Sequence, residues 1–278
     1  MLLDILWNLF RKSLSNNLYQ KLHRSPLGRH KGYNTIFTYK NIFEFYKSNT
    51  ADFQDFKNKR ILEVGCGEQF YTSYFFLNSG AESVSLVDPV FSNERSESIL
   101  QDHFLQFQKL NGDTGQSKHP AIRYYSSFES INEHEQFDFI FSHYALEHFR
   151  NLDSYFEFLQ NHLSKDGISC NRVDLSNHVY HLFDARPLTR FICKNVVLSH
   201  LRYSDKFYAQ ISDKRTWVNR LLLPAYKNLA NLYKLNIKKI TQNPYKPVRI
   251  HPDVLKKNPT SDISELFIDQ FTIILTKQ

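Results

Sequence analysis

Two groups of residues in this 278-residue chain have types and spacings that could do chemistry. The first is Glu63-Val64-Gly65-Cys66-Gly67, which follows the apolar pair Ile61-Leu62 and precedes an aromatic segment that starts at Phe70. Strand, glycine turn and helix in succession let backbone N–H groups and a helix N-terminus approach a charged or polar ligand closely. Glu63 falls near the carboxyl end of its strand, where open α/β sheets place their ligands. Asp88 lies 88 − 65 = 23 residues beyond Gly65, at the tip of the next apolar run. That register suits an acid accepting hydrogen bonds from a ribose diol, and it favours the ligand role over an ordinary turn Asp. The second group is His143, Glu147, His148 and His178. Histidine is the side chain whose ordinary pKa suits proton transfer near neutral pH, and Glu147 offers a partner carboxylate. His143 comes straight off an apolar strand and is the first candidate to face a substrate.

The elements that must hold these residues read as alternating strands and helices. Strands are expected at Ile61–Val64, Ser83–Val87, Ile122–Tyr125, Phe137–Phe141, Ile168–Leu175, Leu235–Ile240 and Leu266–Thr276. Helices are expected at Thr35–Lys47, from Phe70 to a cap at Asn78-Ser79-Gly80, and at Ser96–Leu110 closed by Asn111-Gly112. Two more are expected at Asn151–Leu163, with Asn151 as cap, and at Trp217–Tyr233, where Pro224 starts or kinks the second half. Lys165-Asp166-Gly167 reads as a turn, and Asn243–Pro259 as a Pro-containing loop with a short helix. Near the N-terminus, Leu3, Leu6, Phe10 and Leu14 recur at helical spacing with Trp7 on the same side. Asp4 interrupts that run and the basic residues come after it, unlike a secretory signal. The segment reads as a helix packed on the domain as a lid, with an interfacial membrane helix as the second reading.

The bulk numbers bound the rest. An apolar fraction of 41% supports a packed core, and no window approaches a membrane-spanning length. Cys66, Cys170 and Cys193 lack C-x-x-C spacing, so neither a disulfide framework nor a zinc cluster is indicated and a reducing cytoplasm fits. The net charge of +7 permits nucleic acid, anionic lipid or phosphorylated substrates. Lysines and arginines are spread without a sustained block, so nucleic acid is not an expected partner.

LEVGCG (Leu62–Gly67) resembles the first motif of the Rossmann-like, class I methyltransferases that use S-adenosylmethionine. FDFIFSHYALEHF (Phe137–Phe149) resembles the fourth-strand motif of the same superfamily, and the separation of the two motifs is the expected one. The resemblance implies an α/β fold: a Rossmann-like, seven-stranded, mostly parallel sheet with helices on both faces and the last strand antiparallel. With the N-terminal segment read as a helical lid over residues 1–34, the expected organisation is a methyltransferase domain over 35–278 with an acceptor-cap insertion at about 176–233. Under it, Glu63 faces the methionine end of the cofactor and the Gly65-Cys66-Gly67 backbone passes beneath. Asp88 and Pro89 lie at the ribose, Ser127 and Phe128 stand where the family touches the adenine, and Ser142 lies at the cofactor-facing end of the fourth strand. The family usually carries an Asp at the position of Ser127. Phe70 occupies the third small-residue position of a dinucleotide G-x-G-x-x-G pattern, which disfavours a nicotinamide oxidoreductase.

Asp174–His178 (DLSNH), the basic-aromatic insert after it and Asn219-Arg220-Leu221 resemble a subset found among genes for surface polysaccharide biosynthesis. The implied function is methylation of a small-molecule or saccharide acceptor, at oxygen, with His143, His178, Glu147 and His148 as catalytic candidates. Methylation of RNA or another macromolecule is the alternative the basic charge suggests. A non-catalytic cofactor-binding protein is the alternative suggested by Gln69-Phe70 and Ser127. Glu147, His148 and His178 also resemble the divalent-ion ligands of some methyltransferases acting on RNA ends or quinone precursors. Tyr144 stands where those enzymes have a further Glu, so no metal site is expected.

Overall fold

The structure is a computed structural model. It describes residues 36–52, 55–67, 70–88, 97–112, 122–178, 197–212 and 217–278, together with positions 9, 13, 15 and 18. The lid expected over 1–34, apart from those four positions, lies outside the described residues, as do Gln69, Pro89 and residues 179–196 of the insertion.

One seven-stranded sheet organises the molecule, in the order β3-β2-β1-β4-β5-β7-β6. Its strands are β1 (Arg60–Val64), β2 (Ser83–Val87), β3 (Ile122–Tyr125), β4 (Phe137–His143), β5 (Leu163–Asp174), β6 (Leu235–Pro244) and β7 (Ile268–Lys277). β1 to β5 pair in parallel, and β7 runs antiparallel to both β5 and β6. β1 and β2 are buried along almost their whole length, which is why they read as unbroken apolar runs rather than alternating ones. From β1 the chain steps outward to β2 and β3, then returns to place β4 on the other side of β1. This reversal opens a crevice at the carboxyl ends of β1 and β4, the place where sheets of this kind bind ligands.

The two faces are covered differently. Helices α1 (Ile36–Thr50), α2 (Tyr71–Asn78) and α3 (Glu97–Asn111) pack one face through an aromatic layer that includes Phe43, Tyr46, Phe70, Tyr74, Phe76 and Phe107. Ile61, Val84, Phe139 and Phe141 meet that layer from the sheet. The other face carries α4 (Asp153–His162) and, after α5 (Asp205–Ile211), α6 (Leu223–Leu232), packed on Leu62, Val64, Ile140 and Val173. Both faces are therefore buried against helices, as a parallel sheet requires. No helix among the described residues is long and apolar enough to cross a membrane.

Three local expectations are corrected. β5 begins at Leu163, and Lys165-Asp166-Gly167 is a bulge inside it: Phe137 pairs with Leu163, and the next pair is Phe139 with Ile168. Ser164 closes the bulge by donating from Oγ to Asp138 at 3.0 Å. A Cβ on Gly167 would lie 2.8 Å from Ser164 Oγ and 3.0 Å from the Phe137 carbonyl, so close approach demands the glycine. Residues 217–222 are not helical, and α6 begins only at Leu223, with Pro224 in its first turn. The proline ring would clash with the carbonyl four residues back, at Arg220, so no helix passes through it. Finally, Asn151 is not the cap of α4: Leu152 is, without a side-chain bond, and the Asn151 carbonyl instead accepts from Ser154 Oγ at 2.9 Å.

Candidate active site

The glycine turn sits at the carboxyl end of β1 in a conformation that only glycine adopts readily. Gly65 has φ +76° and Gly67 φ +65°. The Gly65 N–H donates to the Val87 carbonyl at 2.8 Å, continuing the β1–β2 ladder into the turn. A Cβ on Gly65 would lie 2.3 Å from the Cβ of Ala145, so the turn also packs directly on the segment after β4. Beside Gly67 no atom of the described residues comes within 4 Å of the corresponding position. The Gly67 N–H donates to Asp88 Oδ2 at 2.9 Å, which brings the sequence-predicted acid at the β2 tip onto the turn. Tyr124 of β3 donates to the Asp88 carbonyl and fixes that tip in turn. Glu63 is buried and accepts a bond from Ser73 Oγ of α2. Cys66 is buried within the aromatic layer.

Ser127 and Phe128 follow β3. Ser127 caps a single 3-10 turn, and Phe128 packs inward, stacked on Phe158 with centroids 4.5 Å apart. Pro89 lies outside the described residues.

At the end of β4 the residues divide between the two faces. Ser142 is fully buried; its hydroxyl has no partner among the described residues, while its carbonyl accepts from Tyr46 Oη at 2.7 Å. Tyr46 Oη is also 3.1 Å from His143 Nδ1. The one tyrosine proton is engaged by Ser142, so Nδ1 is the donor in the second bond, and His143 Nε2 carries the free lone pair. Burial, reinforced by the Arg172 charge, holds the His143 imidazole neutral by lowering its pKa to about 3. Arg172 is the register partner of His143 on β5, and its guanidinium lies over the rings of Phe45 (4.6 Å) and Tyr144 (4.9 Å).

A second cluster forms just beyond. Glu147 is fully buried, and neither of its carboxylate oxygens has a hydrogen-bond partner among the described residues. Burial, then the charge of Asp174, pushes its carboxyl well above the ordinary range. His178 Nε2 lies 4.0 Å from Glu147 Oε1 and 3.6 Å from Asp174 Oδ2. The His148 ring is 4.8 Å from that of His178, and His148 Nδ1 donates to the Trp217 carbonyl at 2.9 Å, leaving Nε2 as its lone-pair nitrogen. One ligand atom from each of Glu147, His148 and His178 falls within 4.8 Å of the others. Two imidazoles and a carboxylate with unpartnered oxygens form a donor set that fits a transition-metal ion, at a place where the sequence gives no expectation of one.

The structure therefore gathers Glu63, Gly65, Gly67 and Asp88 at one end of the crevice, and Glu147, His148 and His178 at the other. His143 stands apart from the latter three, with Tyr46 and Arg172. The sequence does not single out Tyr46, Ser73 or His200, nor the pairing of Asp174 with His178 or the tethering role of Asn219. Asp174 was recoverable, since Asp and His four residues apart after a strand can share one site. His200 is fully buried and lowered to about 3 by burial and then the charge of Arg220, and nothing in its local sequence marks it. Asn219 donates to the Leu146 carbonyl at 2.9 Å and the Phe149 carbonyl at 3.3 Å, and its own N–H to the Glu147 carbonyl at 2.8 Å. It straps the Glu147–His148 turn in place from more than 70 residues away.

A family model described as a methyltransferase domain matches residues 39–213. No curated protein matches the sequence. Among solved structures, the chain is similar to an S-adenosylmethionine-dependent methyltransferase from Clostridium acetobutylicum, at 14% identity and TM-score 0.48 over 94% of this chain and 96% of that one. It is also similar to an S-adenosylmethionine-dependent methyltransferase from Mesorhizobium loti, at 14% identity and TM-score 0.46 over 85% and 99%. A third similarity is to the ribosomal protein L11 methylase of Lactobacillus delbrueckii subsp. bulgaricus, at 12% identity and TM-score 0.44 over 87% and 80%.

Proposed function

The chain belongs to the methyltransferase domain family, and from that premise we propose that it transfers a methyl group from S-adenosylmethionine to an oxygen of a small-molecule or saccharide acceptor. The observation that carries the cofactor assignment is the glycine turn closed on Asp88, with no described residue crowding Gly67, at the switch point of the sheet. Asp88 has the reach to exchange its bond from Gly67 for a ribose diol, and Glu63, held by Ser73, stands at the end of β1 before the turn.

When bound, the cofactor supplies a methyl group on a sulfonium, already a good leaving group. The protein's work is then chiefly to hold the acceptor in line with that methyl and to exclude water. His143 presents a lone pair on Nε2 and cannot charge near neutral pH, so it accepts a hydrogen bond from an acceptor hydroxyl. A weak base suffices there. As the C–O bond forms, the oxygen becomes an oxonium far more acidic than an imidazolium, and the proton passes to Nε2. Glu147, His148 and His178 complete the acceptor end of the crevice.

The kinship with the polysaccharide-associated subset is supported by the way its two marker segments work together. Asn219 straps the Glu147 turn, and Asp174 and His178 face Glu147 across it.

Calorimetric titration of S-adenosylmethionine and, separately, NADH into wild type and Asp88→Ala tests this reading. The sulfonium cofactor should bind, NADH should not, and Asp88→Ala should weaken binding by about 10- to 100-fold, the loss of hydrogen bonds to a charged group. A folded sample that fails to bind S-adenosylmethionine would overturn the assignment.

A further inference from the structure

Arg172 is a cation without a counter-ion among the described residues. Among the described residues its guanidinium makes no ion pair and no hydrogen bond; its contacts are the faces of Phe45 and Tyr144, at 4.6 and 4.9 Å. The other half-buried or buried arginines among the described residues behave otherwise. Arg60 pairs with Asp138, and Arg220 is held by Asp205 and by the carbonyls of His200 and Tyr203. A guanidinium sandwiched by rings is oriented without engaging its N–H edge, so its five donors remain available in a fixed plane. That edge matches a carboxylate or phosphate.

Its setting is built rather than incidental. Tyr144 holds its ring on Arg172 from a left-handed backbone, φ +56°, which is strained for a tyrosine. The conformation is secured by the Tyr144 N–H donating to the Arg172 carbonyl at 2.9 Å and by Tyr144 Oη donating to Gln270 Oε1 at 3.2 Å. The neighbouring imidazole, His143, is neutral and so offers no competing cation; the nearest acid along the strand, Asp174, accepts from the Ser176 N–H and faces His178. Arg172 also stands in the right place. Strands β1, β4 and β5 are consecutive in the sheet, so the end of β5 lies about 10 Å, two strand spacings, from the glycine turn. His143 lies between them.

Resting on the methyl-transfer reading above, we propose that Arg172 anchors an anionic group of the acceptor, which makes that acceptor a carboxylated or phosphorylated small molecule, such as a sugar acid or sugar phosphate. The anion docks at β5, the hydroxyl reaches back over β4 to His143, and the methyl arrives from the β1 side.

The test is titration of the full chain, with S-adenosylhomocysteine present, by D-glucuronate, D-glucose 1-phosphate and neutral D-glucose, on wild type, Arg172→Met and Arg172→Lys. At least one anionic sugar should bind 10-fold or more tightly than glucose. Arg172→Met should abolish that preference, and Arg172→Lys should keep part of it. The glucuronate and phosphate arms tell carboxylate from phosphate. Affinity for S-adenosylhomocysteine, measured on the same samples, should stay within twofold in both variants. No preference for either anion in wild type, or a preference that survives Arg172→Met, overturns the anchor. Failure of wild type to bind S-adenosylhomocysteine overturns the methyl-transfer reading instead, and is read separately.

Discussion

The two ends of the crevice are built on opposite principles. At the β1–β2 end the backbone does the work: two glycines at positive φ, one N–H turned onto Asp88, and a strand ladder carried into the turn. Its glycines and both acids lie within 26 residues of sequence, from Glu63 to Asp88, with Tyr124 bracing the tip of β2. At the β4–β5 end side chains do the work, and they come from far apart: Tyr46 on α1, Glu147 and His148 after β4, Asp174 at the end of β5 and His178 beyond it, and Asn219 before α6. A backbone site tolerates little change in conformation but asks little of side-chain identity. A side-chain site can be retuned for a new acceptor while the first end keeps its geometry, and the pairing suits an enzyme whose cofactor is fixed and whose acceptor varies.

The sharpest way to break the backbone end is Gly65→Ala. The added methyl is penalised twice, by φ +76° and by a 2.3 Å approach to Ala145 Cβ. The left-handed conformation alone costs about 1–2 kcal/mol, and the overlap should bring the total to about 3–5 kcal/mol or prevent folding. Adding Ala145→Gly removes the overlap and leaves the backbone term. Urea unfolding of the single and double variants should therefore show a coupling of about 1–3 kcal/mol. Additive losses would mean that the turn and the β4 segment are not in contact, and that the two ends are less closely joined than the structure has them.

Asn219→Ala attacks the other end through its strap. It strips hydrogen bonds from the buried Leu146 carbonyl and the half-buried Phe149 carbonyl and removes the Asn219 Oδ1 acceptor from the Leu221 N–H, 3.0 Å away. Leaving such groups unsatisfied should cost about 2–3 kcal/mol. If the ends are independent in the way described, S-adenosylmethionine affinity should hold within a few-fold while methyl transfer falls at least tenfold. A parallel loss of cofactor affinity would show that the strap also shapes the glycine turn through Ala145.

This contrast also explains what was legible in the sequence. Ile61–Gly67 and Asp88 could be read because strand, turn and acid are local features with fixed spacing, and the alternation of apolar runs gave the sheet. The bulge at 164–167 could not, since a Lys-Asp-Gly run is a turn on propensity and becomes a bulge only because Phe137 and Phe139 keep their pairing. The stretch from Trp217 to Leu222 looked helical because its apolar residues suit either state. The deciding facts were the clash of Pro224 with its upstream carbonyl and the distant partners of Asn219. Nor does sequence say that His143, rather than His148 or His178, shares a face with Tyr46 and Arg172. That follows from strand register and from a hydroxyl contributed 97 residues earlier.

The smallest expected effect sharpens the comparison on the side-chain end. His143 titrates near its ordinary value in the unfolded chain and at about 3 in the fold, so between those values the unfolded state binds more protons. Stability attributable to this residue is complete above about pH 6.5 and is lost as the pH falls towards 3, at up to about 1.4 kcal/mol per pH unit. In His143→Gln that proton cannot bind. The stability difference between variant and wild type should thus shift in the variant's favour by about 1–2 kcal/mol between pH 7.5 and pH 5.5, measured by urea denaturation. At pH 7.5 the variant should still lose activity, because Nε2 is gone while the fold remains. An unchanged difference across the two pH values would mean that the imidazole protonates freely in the fold. The lone pair facing the acceptor would then be available only above its ordinary pKa, and the rate of methyl transfer would fall below about pH 6.5 with it.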